Sequence, residues 1–278
     1  MRSINVHVNE QARHYRLPIP DGGMRPLLDA PALVMRTVRE YLGITGLGGS
    51  TGRASVSGSV VLNEIAGGID FRVVQRSLCH HGDSEARLIV HLPTVTGRSH
   101  QSRLKRNNGH WILDKYPIRP LTVSHEGKLN EQTLDVLRMA RDYPIVISTG
   151  HADAQEVRLL IDAAVRLDVP RLMLNQPANP LTGLDASALL ELAQAPMVYT
   201  EQTALTYLLG YQPWDDFSQV LRDVPRALYS SDLGQTSQPD IEQWQVDSLL
   251  WFERMGLGSE RAQRVSQGNA RELLQLAP

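Results

Sequence analysis

Cysteine is nearly absent from this chain: a single residue, Cys79, occurs among 278, so no internal disulfide can form and a reducing compartment, the cytoplasm, is the expectation. Cys79 lies inside a helical pattern, where a small core residue is expected. An excess of one charge is also lacking. With 28 Lys+Arg against 30 Asp+Glu there is no polybasic surface to neutralise a run of phosphates, and nucleic acid is not an expected partner. No apolar run approaches the ~18 to 20 residues that cross a bilayer, so no membrane partner is expected. No basic and then apolar leader stands before the strand-like Ser3 to Val8, and no short-period repeat or low-complexity tract is evident.

What is present is a patterned chain, 42% hydrophobic, long enough for one large core. Apolar runs bounded by turn residues occur at Ile4–Val8, Ile44–Leu47, Val56–Leu62, Leu88–Leu92, Ile145–Ser148, Arg171–Leu174, Met197–Tyr199 and Ala227–Ser230. Between most of them lie stretches with helical periodicity: Ala32–Leu42, Phe71–Leu78, Gln132–Ala140, Ala154–Leu167, Ala186–Leu192 and Trp214–Leu221. Such alternation predicts a parallel sheet, and eight repeats predict closure into a single α/β domain over 1–278, a (β/α)₈ TIM-type barrel. An open doubly wound sheet is the alternative. It would want a Gly-rich phosphate turn after its first strand, and His7, Val8, Asn9 and Glu10 stand there instead.

Two departures from even spacing predict a distorted barrel. Residues 95–128, between the fourth and fifth expected strands, form a long insertion with extended pieces at Trp111–Leu113, Tyr116 and Leu121–Val123, read as a lid or side hairpin. Extra C-terminal helices are predicted at Ile241–Arg254, Ser259–Val265 and Asn269–Leu276, with Gly268 ending one and Asn269 capping the next.

Catalytic groups of a parallel barrel gather at the strands' carboxyl ends, where the βα loops converge on one mouth. The residues there are Asn5, His7 and Asn9; Asn63 and Glu64; His91 and Thr94; His151; Asn175 and Gln176; Glu201; and Ser231 with Asp232. His151 and Asp232 each follow a run that should be buried, and an imidazole or carboxylate is costly there unless it is paired, hydrogen-bonded or bound to a metal. Capping or core roles are the structural alternatives. The glycine-rich 46–52 lacks the Gly-Lys-Ser/Thr ending of a P-loop and reads as a flexible loop. His80-His81 reads as a solvated helix end.

In order along the chain, Val61-Leu62-Asn63-Glu64 with Gly67-Gly68, His91-Leu92-Pro93-Thr94 with His100, Ser148-Thr149-Gly150-His151, Ser231-Asp232-Leu233-Gly234-Gln235, and Gly268-Asn269-Ala270 with Leu273-Leu274 resemble an uncharacterised branch of the amidohydrolase superfamily, metal-dependent hydrolases on a distorted (β/α)₈ barrel. The resemblance implies a metal held by a His-x-His pair on the first strand, histidines after the fifth and sixth, and an aspartate after the eighth. His7, His151 and Asp232 match three of these positions. Asn5 stands where an aspartate often precedes the pair, Asn9 where its second histidine is expected, and Gln176 where the sixth-strand histidine is expected. Amide oxygens bind zinc weakly, which disfavours a binuclear site.

The expectation is therefore a hydrolase of a small-molecule amide, lactone or ester with one divalent metal, zinc by its donors, held by His7, His151 and Asp232. Asp232 and His151 are the expected catalytic groups, and Asn9, Arg98, His100, Gln176 and Glu201 the expected substrate contacts. A metal-independent lyase or isomerase using His151 and Asp232 as acid and base, and a degenerate non-catalytic barrel, are the alternatives. Pairing of barrels through exposed helix faces leaves a homo-oligomer open.

Overall fold

In a computed structural model, residues 58–81, 86–98, 118–233 and 238–275 are described. Six parallel strands form the main sheet: β1 (Ser59–Val61), β2 (Leu88–His91), β5 (Ile145–Ser148), β6 (Leu172–Leu174), β7 (Val198–Thr203) and β8 (Ala227–Ser230). They pair in chain order, β1-β2-β5-β6-β7-β8, each added beside the last. An open doubly wound sheet reverses its order at a switch point, and the described strands have no reversal. The expected strands at Ile4–Val8 and Ile44–Leu47 and the helix at Ala32–Leu42 lie outside the described residues. The fold as described is a mixed α/β sheet of six parallel strands, not a demonstrated closed ring.

Helices alternate with these strands: α1 (Phe71–His81), α2 (Glu131–Asp142), α3 (Ala154–Arg166), α4 (Ala186–Leu192), α5 (Ala204–Leu208), α6 (Trp214–Asp223), α7 (Ile241–Arg254), α8 (Ser259–Gln263) and α9 (Asn269–Leu274). α3 shows why they start where they do. Asp153 Oδ1 accepts from Glu156 N at 2.9 Å while Glu156 Oε2 accepts from Asp153 N at 3.2 Å, a capping box that satisfies two helix-end donors. From there Val157, Leu160, Ile161 and Ala164 recur on one buried stripe.

Strand alternation separates two cores. Val60, Leu88, Val90, Ile145, Ile147, Leu172, Leu174, Val198, Ala227 and Tyr229 face the helices and pack with Leu137, Leu160, Leu189 and Phe217. The opposite face presents Ile89, Val146, Met173, Tyr199 and Leu228, packed against Ala270 and Leu273 of α9. One face of the strands is thus sealed by crossover helices, and the amino-end part of the other, on β2 and β5 to β8, by the C-terminal helix.

Several expectations are corrected. The insertion does contain a hairpin, β3 (Ser124–His125) with β4 (Lys128–Leu129), but it begins just after Leu121–Val123, and Ser124 Oγ donates to Glu156 Oε1 of α3 at 2.8 Å. Trp111–Leu113 and Tyr116 lie outside the described residues. Cys79 is exposed rather than core: α1 buries Val73, Val74 and Ser77, and two residues beyond Ser77 the helix has turned about 200° from that stripe. Gly268 does not end a helix, nor does Asn269 cap one. Both have helical backbone, joined through a π turn at Arg264–Gly268. Asn269 is fully buried, and its Nδ2 donates to Ala227 O at 2.7 Å, fastening α9 to the start of β8. That tertiary bond outcompetes the local capping role.

Candidate active site at the carboxyl ends of the strands

The face lined by Ile89, Val146, Met173, Tyr199 and Leu228 changes character two residues further along each strand. By alternation the next inward positions are His91, Ser148, Asn175, Glu201 and Ser230, and all five are buried. Register supports the grouping, because His91 pairs with Ser148, and Thr203 with Ser230. Apolar residues fill one end of this face and hydrogen-bonding residues the other, a division that coincides with strand direction.

Hydrogen bonds organise the polar end. Ser230 Oγ donates to Glu201 Oε1 at 2.9 Å, Ser148 Oγ donates to Asn175 Oδ1 at a longer 3.4 Å, and Asn175 N donates to Thr149 Oγ1 at 2.9 Å. Glu201 and His91 are only 3% and 2% exposed. A carboxylate and an imidazole so deeply placed on one face need hydrogen-bonding partners within the fold.

The loops that frame this end are fixed by backbone crossings. Gly150 adopts φ +57, and a Cβ there would stand 2.1 Å from Leu92 O, so only glycine lets the chain after β5 pass beneath the chain after β2. His151 N then donates to Pro93 O at 3.1 Å, and Leu92 N to Ser148 O at 2.9 Å. Asn63 performs the same service between β1 and β2. Its Oδ1 accepts from Thr94 N and Val95 N, both at 2.9 Å, and its Nδ2 donates to Thr94 Oγ1.

Of the expected site residues, Glu201 is inward and buried. His151 is half-buried beyond β5, and it is not a helix cap, since Asp153 fills that role. Asp232 is half-buried beyond β8 with φ 50, and Gln176 is buried beyond β6 with φ 44. Left-handed backbone at non-glycine residues costs about 1 to 3 kcal/mol, and here two such residues follow inward strand ends. Arg98 is engaged: its guanidinium lies 2.8 Å from Glu156 Oε2 and 3.0 Å from Asp153 Oδ2. A substrate carboxylate would compete with two protein carboxylates there. His7, Asn9 and His100 lie outside the described residues, as does Asn5. Glu64 sits in the turn Glu64–Ala66 and is exposed.

His91 is expected at a strand end from the sequence but without a role, and Ser148 and Ser230 are not expected in the site. The signal for them is parity: each stands two residues after an inward apolar residue. Among the described residues no group of three or more histidine, cysteine, aspartate or glutamate side chains is arranged to hold a metal ion. His151 and Asp232 are two of the three expected ligands, and His7 would have to complete the set. No helix among the described residues is long and apolar enough to cross a membrane.

A family of unknown function, DUF6282, matches residues 36–201, from within the expected helix Ala32–Leu42 to Glu201 in β7. The chain belongs to this family. The match covers four of the five inward polar residues, His91, Ser148, Asn175 and Glu201, and stops before Ser230 and Asp232. No curated protein matches the chain. The crystal structure of an amidohydrolase from Burkholderia multivorans superposes with a TM-score of 0.44 and 11% identity over 88% of each chain, a likeness too slight to carry weight. The family membership assigns no activity.

Proposed function

We propose that the chain is a hydrolase of small-molecule amides, lactones or esters, working at the carboxyl ends of the strands of a closed (β/α)₈ barrel. The observation that carries this reading is the division of the inward face: apolar and plugged by α9 at one end, polar with buried His91 and Glu201 at the other. A parallel barrel stores stability at its amino end and chemistry at its carboxyl end. The ordered strands and the motif resemblance to amidohydrolases support the same reading. Residues 4–8 and 44–47 would supply the two further strands.

In this proposal His7, His151 and Asp232 would hold one divalent ion, zinc by the chemistry of the donors. Such an ion, when bound, supplies a water of pKa about 7 and polarises the scissile carbonyl. Asp232 takes the proton of the attacking water. Asn175 and Gln176 offer amide N–H groups to the developing oxyanion, and Glu201 with Asn9 and His100 contacts substrate.

The test is metal analysis of protein purified without added metal, together with hydrolysis of a panel of esters, lactones and amides before and after chelation. The expected result is close to one equivalent of metal and turnover lost to chelator, with a drop of about 10² to 10⁴ in Asp232→Asn. Turnover indifferent to chelator yet abolished in Asp232→Asn would replace the metal with acid and base chemistry by His151 and Asp232. No turnover anywhere in the panel overturns the hydrolase.

A further inference from the structure

Among the described residues, α7 is packed on its inner face and on one flank. Trp244 Nε1 donates to the Tyr229 hydroxyl at 3.1 Å, Ser248 Oγ lies 2.7 Å from the same hydroxyl, and the Phe252 ring stands 5.1 Å from that of Tyr229. These contacts seat α7 on β8. Trp251 and Arg254 turn to one side and meet α6: the Trp251 ring is 5.9 Å from Phe217, and the Arg254 guanidinium 4.1 Å from the Trp214 ring centre. A helix advances about 100° per residue, so Leu249 comes round from Ser248 on the flank opposite α6. Leu249 is 70% exposed, with Val246 at 53% and Leu250 at 57% beside it. Three large aliphatic side chains within about one turn form a patch of the kind that marks a contact.

We infer that this flank of α7 is the seat of residues 32–42 of the same chain, whose expected helix lays Val34, Val38 and Tyr41 along Leu249. This rests on the closed ring of the proposed function and not on its chemistry. β8 is one edge of the described sheet, and β1, which the chain enters from Gly58, is the other. A strand added beside β8 in the same order is followed by a right-handed crossover whose helix lies next to α7, on the side away from α6. The chain has 57 residues before Gly58, and a strand, helix and strand take about 30 or more.

The pattern of residues 32–42 fits that seat. Val34, Met35, Val38, Tyr41 and Leu42 share one stripe, with Arg36 and Glu40 opposite. Crossover helices of a parallel sheet all run the same way, so equivalent positions face equivalent neighbours. Trp251, three residues after the inward Ser248, is what α7 turns toward the preceding helix. Tyr41, three residues after the central Val38, is its counterpart, and it lies as far into its own helix as Leu249 does into α7. A second copy of the chain would meet Val246 and Leu250 first, because these point away from β8. Docked on α7, the segment would carry residues 4–8 beside β8 and His7 toward Asp232.

The experiment places two cysteines in the full chain in a Cys79→Ser background, Tyr41→Cys with Leu249→Cys, and for comparison Arg36→Cys with Leu249→Cys. A short bismaleimide followed by peptide mass spectrometry is expected to join 41 to 249 within one chain, and 36 to 249 at least about tenfold less, since Arg36 faces the other way. Without any cysteine added, Leu249→Ala is expected to lower the unfolding midpoint by about 3 to 6 °C, whereas a leucine left in water would change it by less than about 2 °C. Leu249→Ala combined with Tyr41→Ala is expected to lower it by less than the sum of the two.

A link from 249 to 249 of another chain in place of the 41–249 link assigns the flank to a second copy and overturns the inference. So does folded double-cysteine protein without the 41–249 link, or an unchanged midpoint in Leu249→Ala. If the cysteine variants do not fold, the alanine variants decide the matter alone. A 41–249 link in protein that turns over no substrate supports this inference and counts against the hydrolase. Turnover without the link overturns this inference and leaves the hydrolase standing.

Discussion

The two ends of the inward face are built from the same strands and differ by a shift of two residues. At the amino end Val146, Met173, Tyr199 and Leu228 pack on Ala270 and Leu273, while at the carboxyl end Ser148, Asn175, Glu201 and Ser230 replace them. The difference teaches that position along the strand, rather than which strand, sets what a residue does. Substitutions at the plug should move stability and leave ligand recognition alone, and substitutions at the polar end should do the reverse. The loops between the two have to be rigid for that separation to hold.

The sharpest break is Gly150→Ala. The added methyl would meet Leu92 O at 2.1 Å and Pro93 O at 2.7 Å at a backbone φ of +57, which combines overpacking against backbone with left-handed strain. A loss of roughly 3 to 5 kcal/mol is expected in urea unfolding, a large share of the about 5 to 15 kcal/mol that holds a typical domain together. A variant as stable as the wild type would mean that the crossing of the chains after β2 and β5 is not as described.

Next comes Leu273→Ala in the plug, where the side chain is 2% exposed. Truncating a buried leucine costs about 2 to 5 kcal/mol, and turnover of the ester, lactone and amide panel per folded molecule should not change. Changed turnover with unchanged stability would abolish the division between the two ends. Arg98→Ala is expected to cost less, about 1 to 2 kcal/mol, because Glu156 keeps the Asp153 N–H and the Ser124 hydroxyl as partners. Binding of acetate or other small carboxylates should be unaffected; a selective loss would restore Arg98 as the contact for a substrate carboxylate.

Legibility in the sequence followed how local the cause was. β5 and β8 were readable end to end, because Ile145–Ser148 and Ala227–Ser230 are apolar runs stopped by turns. β7 was expected to end at Tyr199 and runs on to Thr203, because Glu201, Gln202 and Thr203 look like loop residues until their partners are known. Ser230 satisfies Glu201 from 29 residues away and Gln212 satisfies Gln202 from ten, while Thr203 pairs with Thr206 as it caps α5; of these only the Thr203 cap is a short-range signal. Glu201 was still found at the site, since its place after a strand is a local fact. His91 was found at a strand end in the same way, whereas Ser148 and Ser230 needed the direction of each strand face, which only the completed register provides. The same limit applies to Asn269, whose bond to Ala227 spans 42 residues.

The smallest expected effect lies at the plug and is a dependence on alkaline pH. Burial, with Glu272 Oε1 accepting from its hydroxyl at 3.0 Å, pushes the Tyr199 phenol up to about 12 from the usual 10. In the unfolded chain the phenol ionises near 10, whereas in the folded protein it stays neutral, so its contribution to stability is fully present below pH 10 and disappears as pH rises toward 12. Unfolding midpoints measured from pH 8 to 12 should therefore fall more steeply in the wild type than in Tyr199→Phe, which has no proton to lose. Glu272→Gln should flatten the decline in part, by removing the carboxylate that opposes the tyrosinate while leaving burial in place. If the wild type and Tyr199→Phe decline in parallel, Tyr199 is hydrated rather than sealed under α9, and the amino end is not the closed counterpart of the polar mouth.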